Sequence, residues 1–376
     1  MSAKLNILVS GMMAGDPHQG GATWAVLQYV LGFRRLGHEV FFVEPVKTMS
    51  ADSVAYFQEV ARGFGLVRNA ALLRAGTRET VGLDYGELRD AARRCDVLFN
   101  VSGMLADPAL IEPVARRVYL DLDPAFIQIW HSEYGIDMRF DAHTHFVTVG
   151  LALGAASCPV PTCGREWLTT LQPVVLDEWP LGNGIETDAF TTVGNWRGYG
   201  SVEFRGEQYG QRVHSMRGFL EMPRRTSERL APALAIHPAE EKDLAALAEN
   251  GWTLLDPAEV AATPARYRQF VSGSKGEFGV AKSGYVASRC GWFSDRSVCY
   301  LASGRPVVAQ DTGFADFLPT GEGLFAFDSV EKACAGIEEI KRDYARHSRA
   351  ARALAETHFD SDGVLARLLR SVGATI

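Results

Sequence analysis

Residues 285–318 read YVASRCGWFSDRSVCYLASGRPVVAQDTGFADFL, and the punctuation of that run decides the fold. Ala287 to Trp292 is a short mixed run broken by Gly291. Phe293-Ser294-Asp295-Arg296-Ser297 then reads as a helix start, with Ser and Asp where a cap is needed. Ser297 to Ser303 is apolar enough for a buried helix, and Gly304 stops it. Pro306-Val307-Val308-Ala309 is a short buried strand that runs into the polar turn Asp311-Thr312-Gly313. Loop, helix, glycine, parallel strand, loop is one unit of a doubly wound α/β domain. Ligands of such domains collect at helix N-termini and beyond strand C-termini, and here both places are polar.

The bulk of the chain agrees with that class. At 376 residues it exceeds one ordinary core and suits two domains. Apolar residues make up 47% and charged residues 22%, which excludes a disordered or fibrous chain. The net charge of -7 argues against nucleic acid or an acidic membrane surface as partner. Six cysteines occur with no Cys-x-x-Cys pair, so reduced, buried thiols in a cytoplasmic protein are expected. The start MSAKLNILVSG reads as a first strand and not as a signal peptide, and no run of 18 apolar residues is present to form a transmembrane segment.

From the N-terminus, Leu5–Ser10 reads as a strand, Gly11–Gly21 as a Gly-rich loop, Ala22–Leu36 as a helix and Val40–Val43 as a second strand. Two meanings of this opening compete. Glu44 closes strand two where a ribose-binding acid of a dinucleotide site would stand, but the loop lacks the G-x-G-x-x-G spacing. Further on, strands are expected at 96–100, 117–122, 145–149, 189–193, 234–237, 253–255 and 324–327. Helices are expected at 50–62, 88–94, 108–115, 214–220, 260–270, 330–357 and 361–372. Trp130–Gly135 and Ser272–Gly279 read as loops. Leu176–Gly184 has linker composition and marks a boundary.

Two dense patches, 5–44 and 287–326, carry a resemblance. GGATWAVLQYVLGFRRLGHEVFFVE resembles the opening of the GT-B glycosyltransferases, and YLASGRPVVAQDTG resembles their nucleotide-sugar half. The resemblance implies an α/β fold of two Rossmann-like doubly wound domains facing a cleft. An acceptor-side domain is expected over 1–178, a nucleotide-sugar domain over 185–355, and a final helix at 356–376 packing back on the first. Many retaining members carry two acids seven residues apart, at places where this chain has Gly291 and Cys299. That departure puts the retaining mechanism in doubt and leaves inverting, metal-independent transfer as the expectation.

Chemistry is expected from three groups of residues. For a diphosphate, the helix start offers Ser294, Arg296 and Ser297, with Asp295 nearer a ribose hydroxyl. Arg197, in Gly194-Asn195-Trp196-Arg197-Gly198, and Lys275, in Gly-Ser-Lys-Gly, are further cationic candidates. Asp311 and Thr312 follow the strand where the family places a sugar-contacting acid, and Gly20-Gly21 matches its close-approach glycine pair. For the base, His18 and Asp16 lie in the first loop, with His131 as a second candidate; an imidazole with a pKa near ~6.5 accepts a hydroxyl proton at neutral pH. His143 and His145 lack further ligand spacing and read as structural, so no metal and no cofactor beyond the nucleotide-sugar donor is expected. The expected activity is hexosyl transfer to an unidentified acceptor. A GT-B sugar-nucleotide epimerase and a non-catalytic nucleotide-sugar-binding scaffold are the alternatives.

Overall fold

A computed structural model describes residues 4–374. Two parallel sheets organise the chain. The first contains β1 (Asn6–Ser10), β2 (Glu39–Val46), β3 (Ala70–Arg74), β4 (Thr80–Gly82), β5 (Val97–Val101), β6 (Arg116–Asp121), β7 (His145–Thr148) and β8 (Trp167–Thr169). Its order is β4-β3-β2-β1-β5-β6-β7-β8, parallel throughout except for β4 on β3. The central strands are apolar on both faces because helices cover both sides. The second sheet holds β9 (Thr187–Asn195), β12 (Leu230–Ala235), β13 (Ser274–Gly279), β14 (Val307–Gln310) and β15 (Leu324–Phe327), in the order β12-β9-β13-β14-β15. A separate hairpin, β10 (Val202–Phe204) and β11 (Glu207–Tyr209), leaves the second lobe between β9 and β12.

Each sheet reverses its direction of growth once, between β1 and β5 in the first and between β9 and β13 in the second. Such switch points open a crevice at the carboxyl ends of the strands. The loops leaving β1 and β9 both meet the seam between the lobes. Helix α1 (Gly20–Arg35) starts from the first of these loops, and α2 (Ala51–Gly63) is capped by Ser50, whose side chain accepts from the Ser53 N–H at 3.0 Å.

The lobes are packed against each other. Gly20 N–H donates to the Ala261 carbonyl at 2.8 Å, and Trp24 Nε1 donates to the Pro264 carbonyl at 2.8 Å. Trp24, Trp179 and Tyr267 form an edge-to-face chain of rings across the junction. The helix Ser361–Ser371 returns to the first lobe and lies on α1 over Gly32, where Arg35 Nε bonds Asp362 at 2.9 Å.

Several expectations are corrected. The Gly-Ser-Lys-Gly segment, read as loop, is β13, the middle strand of the second sheet. A Cβ at Gly276 would come within 2.7 Å of the Pro306 carbonyl and 2.8 Å of the Phe190 ring, so glycine here serves close packing and not a turn. Trp130 to Glu133 belongs to the helix Phe126–Glu133. The single helix expected over 330–357 is broken at Asp343, which ends Val330–Arg342 and caps Tyr344–Leu354. All six cysteines are free. No helix among the described residues is long and apolar enough to cross a membrane.

Candidate active site

A cleft of about 410 Å³ lies at the seam, walled by Pro17, His18, Gln19, Gly21 and Ala22 on one side. Val193–Asn195, Ala235, Pro257, Ala258, Ala261, Tyr267, Asp295 and Arg296 form the other.

The first wall is shaped by Glu44. Its buried carboxylate accepts from the N–H groups of Ala14 at 2.8 Å and Gly15 at 2.6 Å, which folds the loop after β1 over the sheet end. Burial raises the Glu44 pKa against the pull of those N–H groups. The acid is thereby spent on the loop, and the dinucleotide reading of Glu44 loses its ribose ligand. His18 stands on this loop with φ +64°, a left-handed conformation uncommon outside glycine. Its Nε2 meets both Asp52 oxygens at 2.9 and 3.1 Å, and its ring edge packs on Tyr56 at 5.3 Å. With Nε2 turned to the carboxylate, Nδ1 is the nitrogen left for a ligand.

The second wall carries one guanidinium, Arg296, and has another, Arg212, behind it. Ser294 caps the helix Asp295–Ala302, accepting from the Arg296 N–H at 3.2 Å. Arg296 Nε bonds Glu277 at 2.5 Å and Nη1 bonds the Val193 carbonyl at 3.1 Å. Glu277 is fully buried on β13; Thr192 donates to its Oε1 at 3.2 Å, and Oε2 has no partner. Arg212, 8% exposed, donates to the carbonyls of Val280 and Asn195, the latter at 3.3 Å. Gly194 makes room for it, since a Cβ there would stand 2.9 Å from Arg212 Nη2.

Burial, and then the neighbouring Arg296, push the Arg212 pKa down to about 9, so it stays charged at neutral pH. Burial alone would lower the Arg296 pKa too, but Glu277 and Tyr267 outweigh it and the net direction is up. Arg296 is thus paired with the Glu277 carboxylate beside the N–H end of a helix, while Arg212 is held by backbone carbonyls behind Gly194. Asp295, whose carboxyl burial shifts upward in pKa, also faces the cleft.

The other sequence candidates are distributed differently. Ser297 is buried behind the helix tip, 1% exposed. Gly21 lines the cleft, where a Cβ would press to 2.9 Å on the Tyr267 ring, while Gly20 is used in the lobe-to-lobe bond to Ala261. Asp16 is bound by Gln19 and lies outside the cleft wall. His131 packs its ring on Phe140 at 4.5 Å, in the apolar cluster under the first sheet's far edge. Arg197 pairs with Glu240 over a separate depression. Lys275 pairs with Glu228 and Asp188 at the amino end of β13, the wrong end of the sheet for the cleft. Asp311 closes an Asx turn onto the Gly313 N–H at 2.9 Å, and Thr312 donates to the Trp292 carbonyl, so both shape the turn after β14.

Asp52, Arg212 and Glu277 were not singled out from sequence. Asp52 reads only as a first-turn helix acid, Arg212 sits in no motif, and Glu277 falls in a segment that reads as loop. A carboxylate flanked by Phe278 and glycines in a short run is the one local signal that β13 holds a buried acid.

No protein-family model matches this sequence, and no curated protein matches it. Solved structures do. An alpha-glucosyltransferase in complex with UDP-glucose and DNA containing an abasic site is 13% identical, with a TM-score of 0.64 over 99% of this chain and 100% of that one. HepE of Anabaena in complex with UDP-glucose is 11% identical, with a TM-score of 0.59 over 98% and 99%. AviGT4, a glycosyltransferase involved in avilamycin A biosynthesis, is 11% identical, with a TM-score of 0.55 over 98% and 97%. The chain has the GT-B fold, two Rossmann-like halves facing a cleft.

Proposed function

We propose that the protein is a glycosyltransferase that takes a nucleotide-diphosphate sugar into this cleft and moves the hexosyl group to an acceptor hydroxyl. The observation that carries the reading is Arg296, which lines the cleft at the start of the helix Asp295–Ala302 and is paired with the buried Glu277, with a second guanidinium, Arg212, buried behind Gly194. A guanidinium beside the free N–H groups of a helix start suits a diphosphate and stabilises the negative charge that develops on it as the sugar leaves. The shared fold with proteins solved in complex with UDP-glucose supports the donor class.

In this reading His18 Nδ1 takes the acceptor hydroxyl proton while Asp52 stabilises the resulting imidazolium. The acceptor oxygen bonds to the anomeric carbon, the bond from that carbon to the diphosphate breaks, and its electron pair leaves on the diphosphate oxygen facing Arg296. Attack from the face opposite the leaving group inverts the centre. The guanidinium supplies the countercharge in this scheme, and the proposal needs no divalent cation. DNA is bound by one of the similar structures; for this chain the net charge of -7 favours an acceptor other than nucleic acid.

The test is a thermal-shift panel of UDP-, dTDP-, GDP- and ADP-sugars on the wild type, Arg296→Ala and His18→Ala. One donor is expected to raise Tm in the wild type and in His18→Ala, but not in Arg296→Ala. A wild-type melting curve unmoved by every donor overturns the reading.

A further inference from the structure

Away from the cleft wall, a second cluster of charges joins the lobes. Asp123 follows β6 in the first lobe; Lys282 and Tyr199 come from the carboxyl-end loops of the second, and Tyr285 from the short helix Ser283–Ser288. Lys282 Nζ bonds Asp123 at 3.2 and 3.4 Å and Tyr199 Oη at 2.6 Å. Tyr199 Oη also donates to Asp123 at 2.5 Å, and Tyr285 Oη donates to the other carboxylate oxygen. The ammonium lies over three rings, at 4.3 Å from the Tyr199 centroid, 5.1 Å from Tyr285 and 5.2 Å from Phe126. Both charged side chains are only 23% exposed, so the pair is not a solvated surface contact.

The loop that carries Lys282 is the same loop that holds Arg212. Val280 gives its carbonyl to Arg212, and the Ala281 N–H is held by Gln310 at 3.1 Å. Ser283 accepts from the Gly210 N–H at 3.1 Å, while the Gly284 N–H donates to the Gly210 carbonyl at 3.0 Å. Residues 210–212 and 280–284 are therefore one cross-linked unit, tied to the opposite lobe at Asp123. Gly284 lets Phe126 of that lobe close in, since a Cβ there would stand 2.6 Å from the ring.

We propose that Asp123 and Lys282 are positioning residues. Their ion pair clamps the second lobe to the first and in doing so sets Arg212, which stands directly behind Gly194 of the cleft wall. Neither touches a donor in this scheme; they act through loop 280–284. The effect on donor affinity rests on the function proposed above, whereas the clamp itself does not.

Three readouts test it on the full chain, using Lys282→Met, Asp123→Asn and Lys282→Arg. Small-angle scattering is expected to give a larger radius for the unliganded Met and Asn variants. Amide exchange at residues 280–284 is expected to accelerate in both. Whichever nucleotide sugar stabilises the wild type should bind each about tenfold or more weakly by calorimetry, with Lys282→Arg recovering most of the loss. If Lys282→Met fails to fold, Tyr199→Phe, which removes one hydroxyl from Asp123, should show the same acceleration in smaller measure. Unchanged radius and unchanged exchange in the folded variants overturn the clamp. Should no nucleotide sugar bind the wild type, the donor reading falls, while scattering and exchange still decide the clamp.

Discussion

The two walls of the cleft use charge in opposite ways. His18 and Asp52 stand in water, 51% and 60% exposed, on a loop and a helix tip of the first lobe. Arg296 and Glu277 stand inside the second lobe, 11% and 0% exposed, on a helix start and a central strand. An exposed pair of this kind contributes little to stability, ~0–1 kcal/mol, and its groups are free to exchange protons with solvent. A buried pair contributes to fold integrity only while both partners are present, and breaking it costs several times more. The first wall thus keeps its charged pair at the solvent, and the second keeps its pair inside the lobe.

The largest effect expected from breaking this contrast is at Glu277. Glu277→Ala leaves the Arg296 guanidinium without its carboxylate and should lower stability by about 3–5 kcal/mol, read from urea unfolding. His18→Ala should leave urea stability within about 1 kcal/mol of wild type. It should also slow sugar transfer by about 100-fold or more at saturating donor, with donor affinity nearly unchanged. A loss of stability as large as that of Glu277→Ala would remove the distinction between the walls.

A third measurement separates burial from function. His143 is buried in the first lobe away from the cleft, its Nδ1 bonded to the Arg139 carbonyl at 2.9 Å and Nε2 facing the Asn100 amide nitrogen at 3.0 Å. Nδ1 donates and Nε2 accepts, so a second proton would set two donors against each other. Burial lowers its pKa from 6.5 to about 4. Because the folded pKa lies below the unfolded one, the unfolded state binds more protons as pH falls from about 6.5 to 4, and stability drops by about 3 kcal/mol over that window. His143→Gln should flatten that dependence without altering donor affinity. The smallest effect is expected at Asp52→Asn, which keeps the hydrogen bond but not the charge and should slow transfer by about tenfold, equivalent to ~1.4 kcal/mol.

What was legible in the sequence follows the same division between local and distant. The helix Asp295–Ala302 and the strand after it were readable because Ser294, Gly304 and Pro306 punctuate them within a few residues. His18 and Asp16 stand out in the sequence because the Gly-rich loop after β1 holds few other polar side chains, and only the fold separates them, placing His18 on the cleft wall and Asp16 off it. β13 was not, because Gly276 and Gly279 signal a turn when seen alone, and only the neighbouring strand and the Phe190 ring explain Gly276. Arg197 and Lys275 were read as cationic ligands for want of any view of Glu240 and Glu228, acids that lie more than forty residues away from each. Asp52 and Arg212 gained meaning only when the fold brought them to partners in distant segments.

The return of the last helix to α1 has a mechanical consequence. The chain crosses between lobes twice, once near Val174–Leu176 and once near Phe359–Ser361, and the crossings are stitched together by Val174 N–H to Phe359 O at 2.8 Å and Ser361 N–H to Val174 O at 2.9 Å. Two adjacent tethers behave as one pivot: they permit a swing about that point but resist sliding of one half past the other. A rotation about that point would keep the two rims of the cleft in register.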